Sequence, residues 1–282
     1  MIMRKNRLKN LLKAYLDLNK LKLVPNSYDL VGHVAILDIP KELKKEKKLI
    51  AKVLLETNNH IKTVLQKASK REGEFRTRKY KFLAGKRKTE TLHKEYGCIF
   101  KLDPTKVYFS PRELTERQRI AEQVKPKETV MVMFAGVGPY PIVIAKKQPE
   151  VKKIIAIEIN PKAVKYMKEN IRINKLSHKI IPIKGDVRDE CKEWYGKCDR
   201  VVMPLPLGAE SFLDLAVKCL KKKGGIIHFY NWGEEPDIFK QAKELVKKTM
   251  KKMKKKYKIL KSRKVLPYAP RRWKVCLDIK VY

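Results

Sequence analysis

The sequence predicts an α/β fold in two parts, a small α+β domain over residues 29–105 and a mostly parallel sheet over 106–282 that ends in an antiparallel hairpin. Three observations carry this reading. Apolar runs at 129–134, 153–158, 179–183, 199–203 and 225–230 are each followed by a helical pattern. Strands alternating with helices at this spacing imply a parallel sheet covered on both faces. The chain ends with two strand-like segments, 257–266 and 273–282, separated by PYAPRRW. Before residue 106 the alternation is missing, and short strand-like segments surround a stretch, 68–94, rich in Lys and Arg and poor in large apolar residues.

Taken in order, residues 1–28 form a basic extension, and 1–20 read as one amphipathic helix with Leu8, Leu11, Leu12, Tyr15 and Leu16 on one stripe. A strand follows near 31–39, then a helix near 41–58 that Pro40 opens at its first turn. Strand-like segments come next around 61–67, 74–83, 88–95 and 97–103, and give the small domain an exposed cationic surface. In the second part the Lys-rich stretch 247–258 looks like low complexity. Val246, Met250, Met253, Tyr257 and Leu260 nevertheless recur at helical spacing, which predicts a helix with a solvated Lys face rather than a dedicated RNA tail.

Charge narrows the function. The 282 residues include 68 Lys and Arg against 30 Asp and Glu, a formal charge of +38. That excess repels itself without an anionic partner, and nucleic acid is the first partner to consider. A thermophile's Lys- and Glu-rich surface accounts for part of the charge but not for its sign. At 43% hydrophobic the chain can bury a core, so general disorder is excluded. Five Cys form no CxxC pair and five His show no ligand spacing, so neither a disulfide framework nor a metal site is expected. The N-terminal MIMRKNRLKNLLK lacks a signal peptide's apolar stretch, and the longest uncharged run, 129–145, is broken by two Gly and two Pro. A cytoplasmic protein is expected.

The cofactor site is read from four strand ends, where ligands bind in open α/β sheets. MFAGVGPY puts Phe134, Ala135, Gly136, Val137 and Gly138 between a strand and a helix that starts at Pro139. The glycines let the backbone turn tightly and leave room for a ligand at the helix N-terminus. Glu158, followed by Ile159, ends the next strand and can accept hydrogen bonds from both ribose hydroxyls; the plainer alternative is a helix-capping acid before Pro161. Asp186, followed by Val187, ends the third and suits an adenine amine. MPLP, with Pro204 and Leu205, ends the fourth. This order favours S-adenosylmethionine over a nicotinamide dinucleotide, whose fingerprint wants a third Gly where Pro141 stands.

With these residues placed, the chain resembles the archaeal and eukaryotic tRNA (guanine-37-N1)-methyltransferases, which methylate the base 3′ of the anticodon. The match rests on VGHVAILDIP, EGEFRTRKYKFLAG, VYFSPRELTER, MFAGVGPY, IEINPKA, NKLSHKIIPIKGDVR, MPLP, GGIIHFY and YAPRRW, from about residue 29 to the end. It implies a Rossmann-like class I methyltransferase fold and tRNA as partner, with no obligate protein partner evident. A sister family, the wybutosine-synthesis aminocarboxypropyl transferases, typically has GYF in place of GPY and departs from SPRxxTER. Two features depart from the pattern. Only about 28 residues precede the shared region, so the family's separate N-terminal domain is expected to be absent or reduced to one helix. The usual Asn of the NLP loop, implicated in holding the guanine, is Pro204 here. Some archaeal branches carry PLP, and at least one is associated with methylation of a tricyclic wyosine precursor at the same position.

Guanine N1 carries a proton, so its methylation needs a general base near N1 and a cation or strong donor for charge pushed onto O6. The resemblance implies Glu116 as the base, with Arg112 one turn earlier on the same helical face; a plain i, i+4 salt bridge is the alternative. It likewise implies Arg76 at O6, although Arg76 reads equally as one more phosphate-binding cation, and Tyr108 as the residue that holds the flipped base or orders the site. A tRNA-binding protein that kept the fold without catalysis is the rival from another class.

Overall fold

A computed structural model describes residues 7–205 and 208–282. The chain divides into two compact units, one ending at Pro111 and one beginning at Arg112.

In the first unit the N-terminal segment forms two short helices, α1 (Arg7–Leu12) and α2 (Leu18–Leu23), where one was expected. Asp17 explains the break. Its side chain accepts from the Lys20 amide at 2.9 Å and starts α2, a role Asp fills better than a helix interior. Leu8, Leu12 and Leu21 are buried, whereas Tyr15 is exposed. The strand expected over 31–39 is a hairpin, β1 (Asp29–Val31) and β2 (Val34–Leu37). It turns at Gly32, where φ is +53° and a Cβ would lie 2.0 Å from Thr91 Oγ1. Pro40 caps a 3-10 turn, Lys41–Leu43, before α3 (Lys47–Glu56). β3 (Thr63–Lys67) runs parallel to β2, and β4 (Tyr80–Gly85) runs antiparallel to β3. Residues 74–79 are not the start of that strand; the Glu72 amide closes a turn onto Thr77 O at 3.0 Å. A separate hairpin joins β5 (Thr91–Glu95) to β6 (Cys98–Leu102). Leu8, Leu12 and Leu21 share one core with Leu37, Ile50, Leu54 and Val64.

The second unit runs α4 (Leu114–Glu122), β7 (Thr129–Met133), α5 (Pro139–Lys147), β8 (Lys153–Glu158), α6 (Pro161–Ile173), β9 (Ile180–Lys184), α7 (Val187–Glu190), β10 (Arg200–Met203), α8 (Leu213–Cys219), β11 (Gly225–Glu234), α9 (Lys240–Lys252), β12 (Tyr257–Ala269) and β13 (Arg272–Val281). Its sheet has the order β12-β13-β11-β10-β7-β8-β9. β7 to β11 are parallel, and β13 pairs antiparallel with both of its neighbours. Every residue of β7, TVMVM, is buried, as a strand covered on both faces requires. PYAPRRW separates less than expected. Ala269 pairs with Arg272, so the turn is only Pro270 and Arg271, and Arg271 takes φ +59°. α9 buries Ala242, Val246 and Met250 and leaves its lysines in solvent, but it ends at Lys252, and Tyr257 already belongs to β12. No helix among the described residues is long and apolar enough to cross a membrane.

Candidate active site

The loop after β7 is wound tightly. Phe134, Gly136 and Gly138 all have positive φ, and Pro139 opens α5. A Cβ on Gly138 would meet Met167 Cγ of α6 at 3.1 Å, so the glycine also sets close packing between the helices. The loop is held at Ala135, whose amide donates to Ile157 O at 2.9 Å, and at Val137, whose carbonyl accepts from buried Asn170 at 3.0 Å.

Glu158 is aimed by backbone. The Gly136 amide donates to Oε2 at 2.7 Å and the Asn160 amide to Oε1 at 2.8 Å. Burial raises its carboxyl above the ordinary value, and these amides offset part of that. Acceptor capacity remains on a carboxylate with about four lone-pair sites, which suits a diol. The plainer alternative does not hold, since Asn160 caps α6. Ile159 is half-buried beside it. Asp186 caps α7 through the Arg188 amide at 2.7 Å and pairs with the Arg188 guanidinium at 2.8 Å, and Val187 behind it is buried. That guanidinium lies 4.6 Å over the ring of Phe212, which meets Phe134 edge-on at 4.9 Å. Nothing local in the sequence marks Phe212 as a neighbour of Phe134 and Arg188. Pro204 O accepts from Lys274 Nζ at 3.0 Å, and Leu205 is half-buried. Pro206 lies outside the described residues.

Glu116 is 3% exposed on α4 and densely held. Arg119 donates to Oε2 through Nε at 2.9 Å and to Oε1 through Nη2 at 2.7 Å, and Tyr230 OH donates to Oε1 at 2.6 Å. Arg263 Nε stands 3.1 Å from Oε2. Arg112, expected as the partner on the same helical face, is not among them. It lies in a 3-10 turn, Pro111–Glu113, ahead of α4, so the i, i+4 relation is not helical; Arg119, at i+3, takes that place.

The network runs deeper. Arg119 reaches Asp278 at 2.5 Å, and Asp278 Oδ1 lies 2.7 Å from His228 Nδ1. Arg200 Nη1 lies 2.7 Å from His228 Nε2 and pairs with Glu128 at 2.8 Å. Arginine can only donate, so Nε2 accepts and Nδ1–H donates to Asp278. Burial pushes the His228 pKa down, with Asp278 opposing it only in part. Burial alone would push the Asp278 carboxyl up; its bonds from His228 and Arg119 reverse this and hold it below the carboxylate range. Burial likewise keeps the Tyr230 phenol protonated, as its donor role requires. Glu113 adds an ion pair to Lys274 at 3.0 Å, which ties α4 to the Pro204 carbonyl. Folding also gathers His228, Cys276 and Asp278, with ligand atoms within 4.8 Å of one another. The Arg119 and Arg200 guanidiniums already contact them, and two cations at that range oppose a third.

The first unit carries Arg76 and Tyr108. Arg76 has φ +52°, an uncommon conformation for a non-glycine residue, and its carbonyl accepts from Arg71 Nη1 at 3.1 Å. The same Arg71 guanidinium lies 4.3 Å over the Tyr108 ring, which is 38% exposed. Arg71 therefore ties both expected residues together. In the sequence it is one cation among many.

Comparison with known proteins gives the family. Residues 91–260 match the TRM5/TYW2 methyltransferase domain, and residues 8–89 match the TYW2 N-terminal domain, across the boundary drawn at residue 28. Over 260 residues the chain is 42% identical to the tRNA (guanine(37)-N(1))-methyltransferase Trm5b of Pyrococcus abyssi, covering 92% of this chain and 76% of that protein. It is 38% identical over 254 residues to the tRNA(Phe) (4-demethylwyosine(37)-C(7)) aminocarboxypropyltransferase of Methanocaldococcus jannaschii, covering 90% and 97%. It is 32% identical over 271 residues to the tRNA (guanine(37)-N(1))/4-demethylwyosine(37)-methyltransferase Taw22 of Nanoarchaeum equitans, covering 78% and 88%. Among solved structures, a complex of aTrm5 with tRNALeu superposes with a TM-score of 0.85 at 40% identity, covering 97% of this chain and 77% of that one. M. jannaschii TYW2 in complex with AdoMet superposes at 0.70 and 33%, covering 90% and 99%. The chain belongs to the TRM5/TYW2 methyltransferase family.

Proposed function

We propose that the protein transfers a methyl group from S-adenosylmethionine to N1 of guanosine-37 in tRNA, in the cytoplasm and without an obligate protein partner. The observation that carries this is Glu116, a buried carboxylate fixed by Arg119 and Tyr230 in the unit that also bears the Glu158 and Gly136 loop. Glu158 would hold the ribose of the cofactor, Asp186 the adenine, and the loop from Phe134 to Gly138 the remainder. When bound, S-adenosylmethionine supplies an electrophilic methyl group on a sulfonium. Glu116 takes the N1 proton, the N1 lone pair takes the methyl group, and sulfur keeps the electrons of the broken bond. Arg76 neutralises charge on O6 and Tyr108 orders the base. The anticodon loop releases its base at low cost.

A second reading has its own support. Residues 8–89 match the TYW2 N-terminal domain, and the chain spans 97% of an aminocarboxypropyltransferase relative. GPY and SPRELTER favour methyl transfer instead. Pro204 bears on breadth of substrate, because proline has neither a side-chain hydrogen-bonding group nor an N–H to check the guanine edge. We therefore expect methylation of both guanosine-37 and a 4-demethylwyosine-type nucleoside, an activity pair named for the Taw22 relative. One experiment tests all of this: incubation with S-adenosylmethionine and each tRNA, then mass spectrometry of nucleosides and co-product. A methylated nucleoside with S-adenosylhomocysteine is expected from both tRNAs. Methylation of guanosine alone would show that losing the Asn does not widen the pocket. An aminocarboxypropyl product with methylthioadenosine would establish the second reading, and no product would leave a tRNA-binding protein.

A further inference from the structure

We propose that Arg263 is a further catalytic residue: it stands against the last open acceptor position of Glu116, without hydrogen-bonding it, until substrate arrives, then turns its guanidinium to O6 of the base. This rests on Glu116 being the group that receives the N1 proton.

A carboxylate offers about four acceptor positions. Oε1 is filled by Arg119 Nη2 and Tyr230 OH, and Oε2 takes Arg119 Nε. Substrate therefore needs the remaining position on Oε2, the one that Arg263 Nε faces at 3.1 Å. This contact differs from the others. Arg263 Nε is buried yet makes no hydrogen bond, so the 3.1 Å approach lacks hydrogen-bond geometry. A buried donor in that state is costly, and a better acceptor nearby would relieve it. Arg119 is anchored a second time by Asp278, and Tyr230 OH also receives Tyr140 OH at 3.3 Å. Arg263 is 36% exposed, on β12 at the edge of the sheet, and register shifts at Ile259/Lys261 and Lys264/Leu266 flank it. Such irregular pairing re-aims a side chain away from the regular alternation. Of the partners of Glu116, it is the one that can leave without dismantling the buried network.

The chemistry of the incoming edge gives the guanidinium its next partner. A guanine that donates N1–H to Oε2 carries O6 on the adjacent ring carbon, so a cation leaving Oε2 is a neighbour of that oxygen. As the proton passes to Glu116, negative charge grows on O6, and a permanently charged guanidinium stabilises it.

Single-turnover methylation of tRNA bearing guanosine-37 tests this with Arg263→Ala, Arg263→Lys and Glu116→Gln. Arg263→Ala should slow the chemical step roughly 10²-fold, as for loss of one transition-state donor. Its S-adenosylmethionine affinity and thermal midpoint should stay at wild-type values. Arg263→Lys should keep part of the rate, and free guanidinium ion should restore Arg263→Ala but not Glu116→Gln. A wild-type rate for Arg263→Ala, or a loss that neither Lys nor guanidinium repairs, would overturn the proposal while Glu116→Gln stays slow. A fast Glu116→Gln would instead remove the base on which the proposal stands.

Discussion

At the scale of single residues, Glu116 is the position on which most depends. Gln keeps its size, but replaces one acceptor oxygen with an NH2 group that faces donors from Arg119 or Tyr230. Asp278 still holds Arg119 in that variant, so the helix keeps its anchor. Glu116→Gln should therefore bind S-adenosylmethionine and tRNA while methyl transfer slows by roughly 10²–10⁴, the range for loss of a general base. A near-normal single-turnover rate would take Glu116 out of the base role. Tyr230 is its complement: a phenol kept protonated by burial cannot act as a base and can only orient the Glu116 carboxylate.

At the scale of elements, α4, β11 and β13 are joined by buried charge rather than by apolar contact alone. His228 of β11, Asp278 of β13 and Arg119 of α4 form one chain of hydrogen bonds. Breaking such a chain strands a buried charge, which costs far more than the intact pair contributes. The pH dependence follows from the direction of the shifts. The pKa of folded His228 is lowered, so the unfolded chain takes up a proton first and stability falls as pH drops below about 6.5. Asp278 is also lowered, and its contribution holds above about 3.9 and is lost only in stronger acid. Urea unfolding between pH 7 and 5 should show a loss of up to about 1.4 kcal/mol per pH unit from His228. His228→Asn, which can keep a donor toward Asp278 but does not titrate there, should flatten that slope. Equal slopes in the two proteins would mean that His228 does not couple to folding.

At the scale of the whole molecule, the net charge of +38 sets how the protein meets its substrate. The lysines of α9 and much of 70–94 are exposed, so the charge is available to phosphates rather than consumed in the core. Affinity for tRNA should fall by at least roughly 10²-fold between about 50 and 200 mM salt, because counterion release drives cationic binding. A flat log–log plot from filter binding would mean that the excess serves thermal stability instead. Positioning also demands stiffness. Of the buried carboxylates of the second unit, Glu113 and Asp278 are each met by a cation from another element and Glu116 by Arg119 of its own helix, which fixes their geometry before substrate arrives.

The sequence by itself determined the sheet and the tight turn after β7. Each parallel strand is a local apolar run, and Gly136 and Gly138 mark a turn that needs positive φ, so a few neighbouring residues carry the whole signal. Glu116 is singled out only by the resemblance of the motif around it to a family, not by composition or spacing. Where local competition decides, the hydrophobic pattern alone misleads. Asp17 split the first helix, Gly32 folded one strand into two, and the 3-10 turn at Pro111 put Arg112 out of helical register with Glu116. Only the tertiary structure decided what surrounds Glu116. Tyr230 lies 114 residues away in the chain, and Asp278 lies 159 residues from Arg119. Which donor fills a buried carboxylate depends on how α4 seats beside β11 and β13, and no spacing within one element records that.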